Sequence, residues 1–69
     1  MQKWEYLFVG FTPHNNTQYP WAVNGHEIKN WKQGVTLVEY CNELGEQGWE
    51  LVGEAEHAGC LIFKRPEAE

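Results

Sequence analysis

Val35-Thr36-Leu37-Val38-Glu39-Tyr40-Cys41-Asn42-Glu43-Leu44-Gly45-Glu46-Gln47-Gly48-Trp49-Glu50-Leu51-Val52 holds a helix start, a helix stop and the opening of a strand. Thr36 with Glu39 three positions on is a capping box, in which each side chain satisfies a backbone N–H at the other position. Val35, just ahead of the cap, is placed to pack on Tyr40 and set the entry angle. Leu37, Tyr40, Cys41 and Leu44 recur at helical spacing and predict one buried stripe, with Glu39, Asn42, Glu43 and Glu46 turned to water. Gly48 supplies a left-handed stop, after which a Schellman geometry would bring Trp49 onto Leu44. The helix is therefore expected over 36–47, with Gly45 in its last turn costing about 1 kcal/mol against alanine.

Working outward, residues 49–56 alternate, with Trp49, Leu51, Gly53 and Ala55 on one face and Glu50, Val52, Glu54 and Glu56 on the other. This reads as a half-buried strand. His57-Ala58-Gly59 is a tight turn, and Cys60-Leu61-Ile62-Phe63-Lys64-Arg65 is a last strand ended by Pro66. At the other end, residues 3–12 are rich in aromatic and β-branched types and form a first strand. Trp4, Tyr6 and Phe8 fall on one face; Leu7, Val9 and Phe11 fall on the other. Apolar residues on both faces imply a central strand, or one covered by the helix on one side and by a partner chain on the other.

Residues 13–20, with two prolines and a polar cluster, read as loop. Asn24-Gly25 between Trp21-Ala22-Val23 and Glu27-Ile28 favours the positive φ angles of a type I′ turn and predicts a short hairpin. The expected fold class is α+β in a single domain, 1–69. A small antiparallel sheet of about four strands is packed on one face by one helix, in the chain order β-β-β-α-β-β. Residues 13–34 form an extended loop and short hairpin insertion, and 67–69 a frayed tail.

Three stretches lie in a familiar order: Lys3-Trp4-Glu5-Tyr6, Leu44-Gly45-Glu46-Gln47-Gly48-Trp49-Glu50-Leu51-Val52 and Ile62-Phe63-Lys64-Arg65-Pro66. Over about half of the chain they resemble a family of short bacterial and phage proteins, the domain of unknown function 4177 family. The resemblance implies a strand, a helix and a hairpin, and no activity. The chain departs from the family pattern between residues 12 and 35, where the connection is longer and holds Tyr19, Trp21, His26 and Trp31.

Sixty-nine residues make a small core, and a chain of this size buries only about 60% of the surface its unfolded form exposes. Bulky side chains compensate: four tryptophans, three tyrosines and three phenylalanines. One helix and one sheet cannot hide ten rings, so some are expected on the surface, where aromatic clusters mark interfaces. The formal net charge of −5 opposes general nucleic-acid binding, which needs a positive field. Two cysteines make no disulfide framework, the first residues carry no secretory pattern, and no apolar run spans a membrane. These features predict a reduced, cytoplasmic protein without membrane association. Asn15-Asn16-Thr17 matches a glycosylation acceptor, which has no meaning without secretion.

Reactive constellations are lacking. His57 and Cys60 have ligand-like spacing, but a structural zinc needs a second pair. The same two residues lack a third group to orient a catalytic base, and the chain has no serine. Glu50, Glu54 and Glu56 read as a solvated face that discourages edge aggregation. Glu5, set among aromatics in a central strand, calls for a partner such as Lys64 or Arg65. No glycine-rich phosphate loop precedes the helix. No catalytic residue, metal site or cofactor is expected.

Candidate binding residues are therefore aromatic and cationic: Tyr19, Trp21, His26, Trp31 and Lys32, with Arg65 from the basic pair ending the last strand. They suit one of two uses. The chain is a non-enzymatic binding or assembly module that forms a homo-oligomer through exposed aromatic surface. Alternatively it is a sequestering protein in which rings stack on a small-molecule or nucleotide ligand and lysines neutralise its charge. The assembly reading is preferred because so small a core needs support from a partner.

Overall fold

A computed structural model describes residues 1–55 and 59–67. The chain order is β1 (Trp4–His14), β2 (Thr17–Val23), β3 (His26–Glu27), a single 3-10 turn (Trp31–Gln33), α1 (Leu37–Glu46), β4 (Glu50–Ala55) and β5 (Cys60–Pro66). All strands are antiparallel neighbours in the order β3-β2-β1-β5-β4. The α+β class is as expected, and β1 is central, beside β5. The sheet has five strands rather than about four.

The extra pairing lies in 13–20, which is hairpin and not loop. Asn15 and Asn16 have φ of 51° and 62° and close a two-residue turn between β1 and β2. Asparagine tolerates this left-handed region better than most residues, so the Asn-Asn pair is itself a turn signal. The prolines that argued for a loop sit where a strand admits them. Phe11 donates its N–H to Gly59 O, so alternate residues of β1 turn their N–H groups toward β5 and away from β2. Pro20 faces Phe11 and Pro13 faces Gln18. Both are wide pairs of the β1–β2 ladder, in which neither residue bonds across, and the missing N–H removes nothing. The register shifts between Gly10 and Phe11, leaving Trp21 as the extra residue of a bulge. Residues 13–34 are thus largely woven into the sheet.

The Asn24-Gly25 turn is present, with φ of 50° and 83°. Asn24 also extends the sheet. Its side-chain Oδ1 accepts the Phe8 N–H at 2.9 Å, and its own N–H donates to Phe8 O at 2.7 Å.

The helix matches its sequence signals closely. The Thr36 and Glu39 capping box is complete. The hydrogen bonds from Thr36 N–H, then from its hydroxyl, hold the Glu39 carboxyl below its ordinary value. At the other end Trp49 N–H donates to Leu44 O and Gly48 N–H to Gly45 O, with Gly48 at φ 91°. This is the expected Schellman closure. Val35 and Tyr40 line one small depression, consistent with the staple.

The core forms between α1 and one sheet face. Val9, Leu44 and Phe63 are buried, surrounded by Leu7, Leu37, Tyr40, Cys41, Trp49 and Leu61. Burial pushes the Cys41 thiol up, as suits a stripe residue rather than a nucleophile. In β4 the clean alternation fails. A register shift between Leu51 and Gly53 leaves Leu51 opposite Phe63, but Gly53 opposite Ile62 and Ala55 opposite Cys60. The four residues read as one face are therefore split between two, and Leu51 and Val52 are both exposed.

Arg65 joins three elements. Its Nε pairs with Glu5 directly across the sheet, its Nη1 donates to Gln47 O at 3.1 Å, and its guanidinium lies 4.3 Å from the Trp49 ring centroid. Arg65→Ala is expected to cost about 2 kcal/mol, mostly through the stacking and the carbonyl bond, because the ion pair is partly exposed. Urea denaturation reads this directly. Arg65→Lys should recover little of the loss, since a lysine lacks the planar fork.

Candidate functional site

The candidate residues separate into three places. Tyr19 and Trp31 come together with His14, which the sequence reading missed. Their rings meet at 6.0–6.2 Å, edge to face or tilted. Lys32 Nζ lies 5.5 Å from the Trp31 ring centroid. His14 had a usable signal: it ends a strand of alternating residues immediately before the Asn-Asn turn. These rings chiefly satisfy one another at the end of the β1–β2 hairpin. The depression bounded by Glu27, Asn30, Trp31, Lys32 and Gln33 is shallow and about 180 Å³ in volume. Sites for drug-sized ligands usually occupy about 300–1,000 Å³.

His26 is exposed in β3 opposite Val23, outside that ring cluster. Arg65 is engaged with Glu5, Trp49 and Gln47, as described above. His57 lies outside the described residues. Among the described residues no three histidine, cysteine or acidic side chains group as a metal site. No helix among them is long and apolar enough to cross a membrane.

Trp21 belongs to a different cluster. A methyl added at Gly10 would lie 3.2 Å from its indole Nε1, so the ring rests over the glycine. Gly10 shares a sheet face with Phe8, Tyr6 and Trp4, because side chains alternate along β1. That face is opposite the one holding Leu7, Val9 and α1. Along it run Trp4, Tyr6 and Phe8, 40%, 52% and 45% exposed, and then Trp21, 40% exposed, in the place Gly10 leaves vacant. Residues two apart on a strand are separated by about 7 Å, so the stripe is roughly 20 Å long. Lys64, opposite Tyr6, borders it with Nζ 4.3 Å from the Trp4 ring centroid. The alternation of Trp4, Tyr6 and Phe8 against Leu7, Val9 and Phe11 was visible in the sequence. What the sequence could not show is that α1 covers only the second set and that no other described helix covers the first.

No protein-family model, no curated protein and no solved structure matches the chain.

Proposed function

We propose that this protein is a non-enzymatic assembly module that associates with further copies of itself through the open aromatic face of β1. The observation that carries this reading is the stripe of Trp4, Tyr6, Phe8 and Trp21 on a sheet face that no described α-helix covers. Contiguous aromatic surface of this kind is costly to leave in water and typical of interface cores. The buried core is correspondingly small: Val9, Ala22, Leu44 and Phe63 among the described apolar residues. The resemblance to the domain of unknown function 4177 family is part of the same proposal and adds no activity to it. Capture of a small planar ligand beside Trp31 has weaker support, because the depression there is shallow and its rings already pack on one another.

Trp4→Ala tests the assembly reading, with Trp31→Ala as a control outside the stripe. The first is expected to weaken association by about 2 kcal/mol, the scale of a central aromatic anchor. The second is expected to leave mass unchanged. Sedimentation velocity distinguishes them. Equal masses for the unaltered chain and Trp4→Ala across a dilution series would count against the open face.

A further inference from the structure

The same strand that carries the stripe also has an open backbone edge. Phe8 exchanges both of its backbone groups with Asn24 on the β2 side. Lys3 O accepts from Glu67 N–H, and Phe11 N–H donates to Gly59 O, both on the β5 side. Alternate residues thus face opposite ways, and the N–H and C=O of Trp4 and Tyr6 point to the β2 side. Pairing with β2 begins only at Val9, with Asn24 serving Phe8. No described strand lies beside residues 4–7 on that side.

Every other described edge of the sheet is guarded. β3 is two residues long, and the stretch of β2 that it leaves uncovered, residues 17–21, holds Pro20, which has no donor. β4 carries a register shift and the charges of Glu50 and Glu54. The far end of β1, beyond its pairing with β5, holds Pro13, whose ring nitrogen removes the donor facing outward. Short edges, bulges, charges and proline are the usual protections against strand addition. Residues 4–7 have neither bulge nor proline, and their one charge, Glu5, is already paired with Arg65.

We infer that a second copy of this chain adds to this edge as an antiparallel strand, related by a two-fold axis at Trp4. This rests on the self-association proposed above and adds a second contact to it, because pairing edge to edge leaves the aromatic face itself open to a further copy. The register follows from parity, sterics and charge. A two-fold pairing must centre on one residue, with Trp4 and Tyr6 facing the partner's backbone. Centring on Tyr6 would place Trp4 of one copy against Phe8 of the other, whose groups Asn24 already occupies. Centring on Glu5 would set that carboxylate against its own counterpart and bring Gln2 against Phe8, which Asn24 already occupies. Centring on Trp4 pairs Trp4 with Trp4 and Tyr6 with Gln2, and stops short of Phe8. It also places Lys3 opposite Glu5, twice, in the wide pairs where side chains approach most closely. Glu5 would then lie between Arg65 of its own chain and Lys3 of the second copy. The two aromatic stripes meet at the paired Trp4 residues and form one longer surface.

Two experiments test this, both read by sedimentation and checked for folding by circular dichroism. Tyr6→Pro removes an N–H that the single chain does not use, whereas Tyr6→Ala removes the ring and keeps the N–H. Tyr6→Pro is expected to weaken the dimer about thirtyfold more than Tyr6→Ala, the loss of two backbone hydrogen bonds per dimer. Independently, Lys3→Glu and Glu5→Lys alone are each expected to lose the edge contact and sediment lighter than the unaltered chain, because each places like charges opposite one another. An equimolar mixture of the two should form a heterodimer, since every changed position then meets an opposite charge. If Tyr6→Pro matches Tyr6→Ala and the mixture is no heavier than either charge variant alone, edge pairing is wrong. The assembly reading would survive that result provided Trp4→Ala still lowers the mass. Should the unaltered chain itself be monomeric, both ideas fall.

Discussion

Phe63→Ala is expected to leave the chain largely unfolded at room temperature. Phe63 is 2% exposed and lies on β5 between Leu7 of β1 and Leu51 of β4, directly under α1. Among the described residues it is therefore the one large buried side chain placed between both halves of the sheet and the helix layer. Phenylalanine-to-alanine changes in cores cost about 3–5 kcal/mol, as lost transfer energy plus the residual cavity. A domain of this size belongs at the low end of the usual range, about 5 kcal/mol. Little stability should remain. Loss of the cooperative thermal transition in near-ultraviolet circular dichroism is the expected readout. A sharp transition displaced by only a few degrees would show that stability is concentrated elsewhere.

Leu44→Ala should rank next, at about 2–5 kcal/mol. Leu44 is the one buried residue of α1, in a core cluster against which Trp49, beyond the Schellman turn, also packs. A ten-residue helix is marginal by itself, so it depends on this contact to remain docked. The change should lower the urea midpoint sharply and expose Trp49 to a fluorescence quencher. Val38→Ala, at the exposed face of the same helix, is the internal control and should stay within about 0.5 kcal/mol of the parent. Comparable losses for the two would mean that the helix is held by something other than its apolar stripe.

The parts of this fold that were legible in the sequence are those decided within a few residues. Thr36 and Glu39 make their capping box, Gly48 its left-handed stop and Asn24-Gly25 its turn without help from distant groups. The pairing of Glu5 with Arg65 was also accessible, because a carboxylate among aromatics needs a cation across the sheet. The misreadings share one cause: strand signals depend on which neighbour a backbone group faces. Pro13 and Pro20 looked like barriers to a sheet, yet neither nitrogen faces the ladder between β1 and β2. In β4 the alternation of Leu51, Gly53 and Ala55 was interrupted by a register shift that no side-chain pattern records.

The candidate surface moved for a similar reason. Sequence reasoning gathered Tyr19, Trp21, His26, Trp31, Lys32 and Arg65 because they are rings and cations, mostly in the segment between β1 and α1. Folding places Trp21 over Gly10 beside Phe8, seats Tyr19 and Trp31 against His14, and draws Arg65 into the frame. Trp4, Tyr6 and Phe8 were read as one face of β1, with a partner chain named as one way to cover it. They become the candidate surface only once α1 is seen on the opposite side. Apolar rings on both faces of a strand signal two coverings, and the chain supplies one of them from the described residues.

The most direct measurement is the solution mass of the unaltered protein by sedimentation equilibrium over a wide dilution series. A mass above 8.1 kDa at high concentration, falling toward that value on dilution, is the expected result. A constant 8.1 kDa throughout would contradict the proposal that the open face of β1 is covered by another copy.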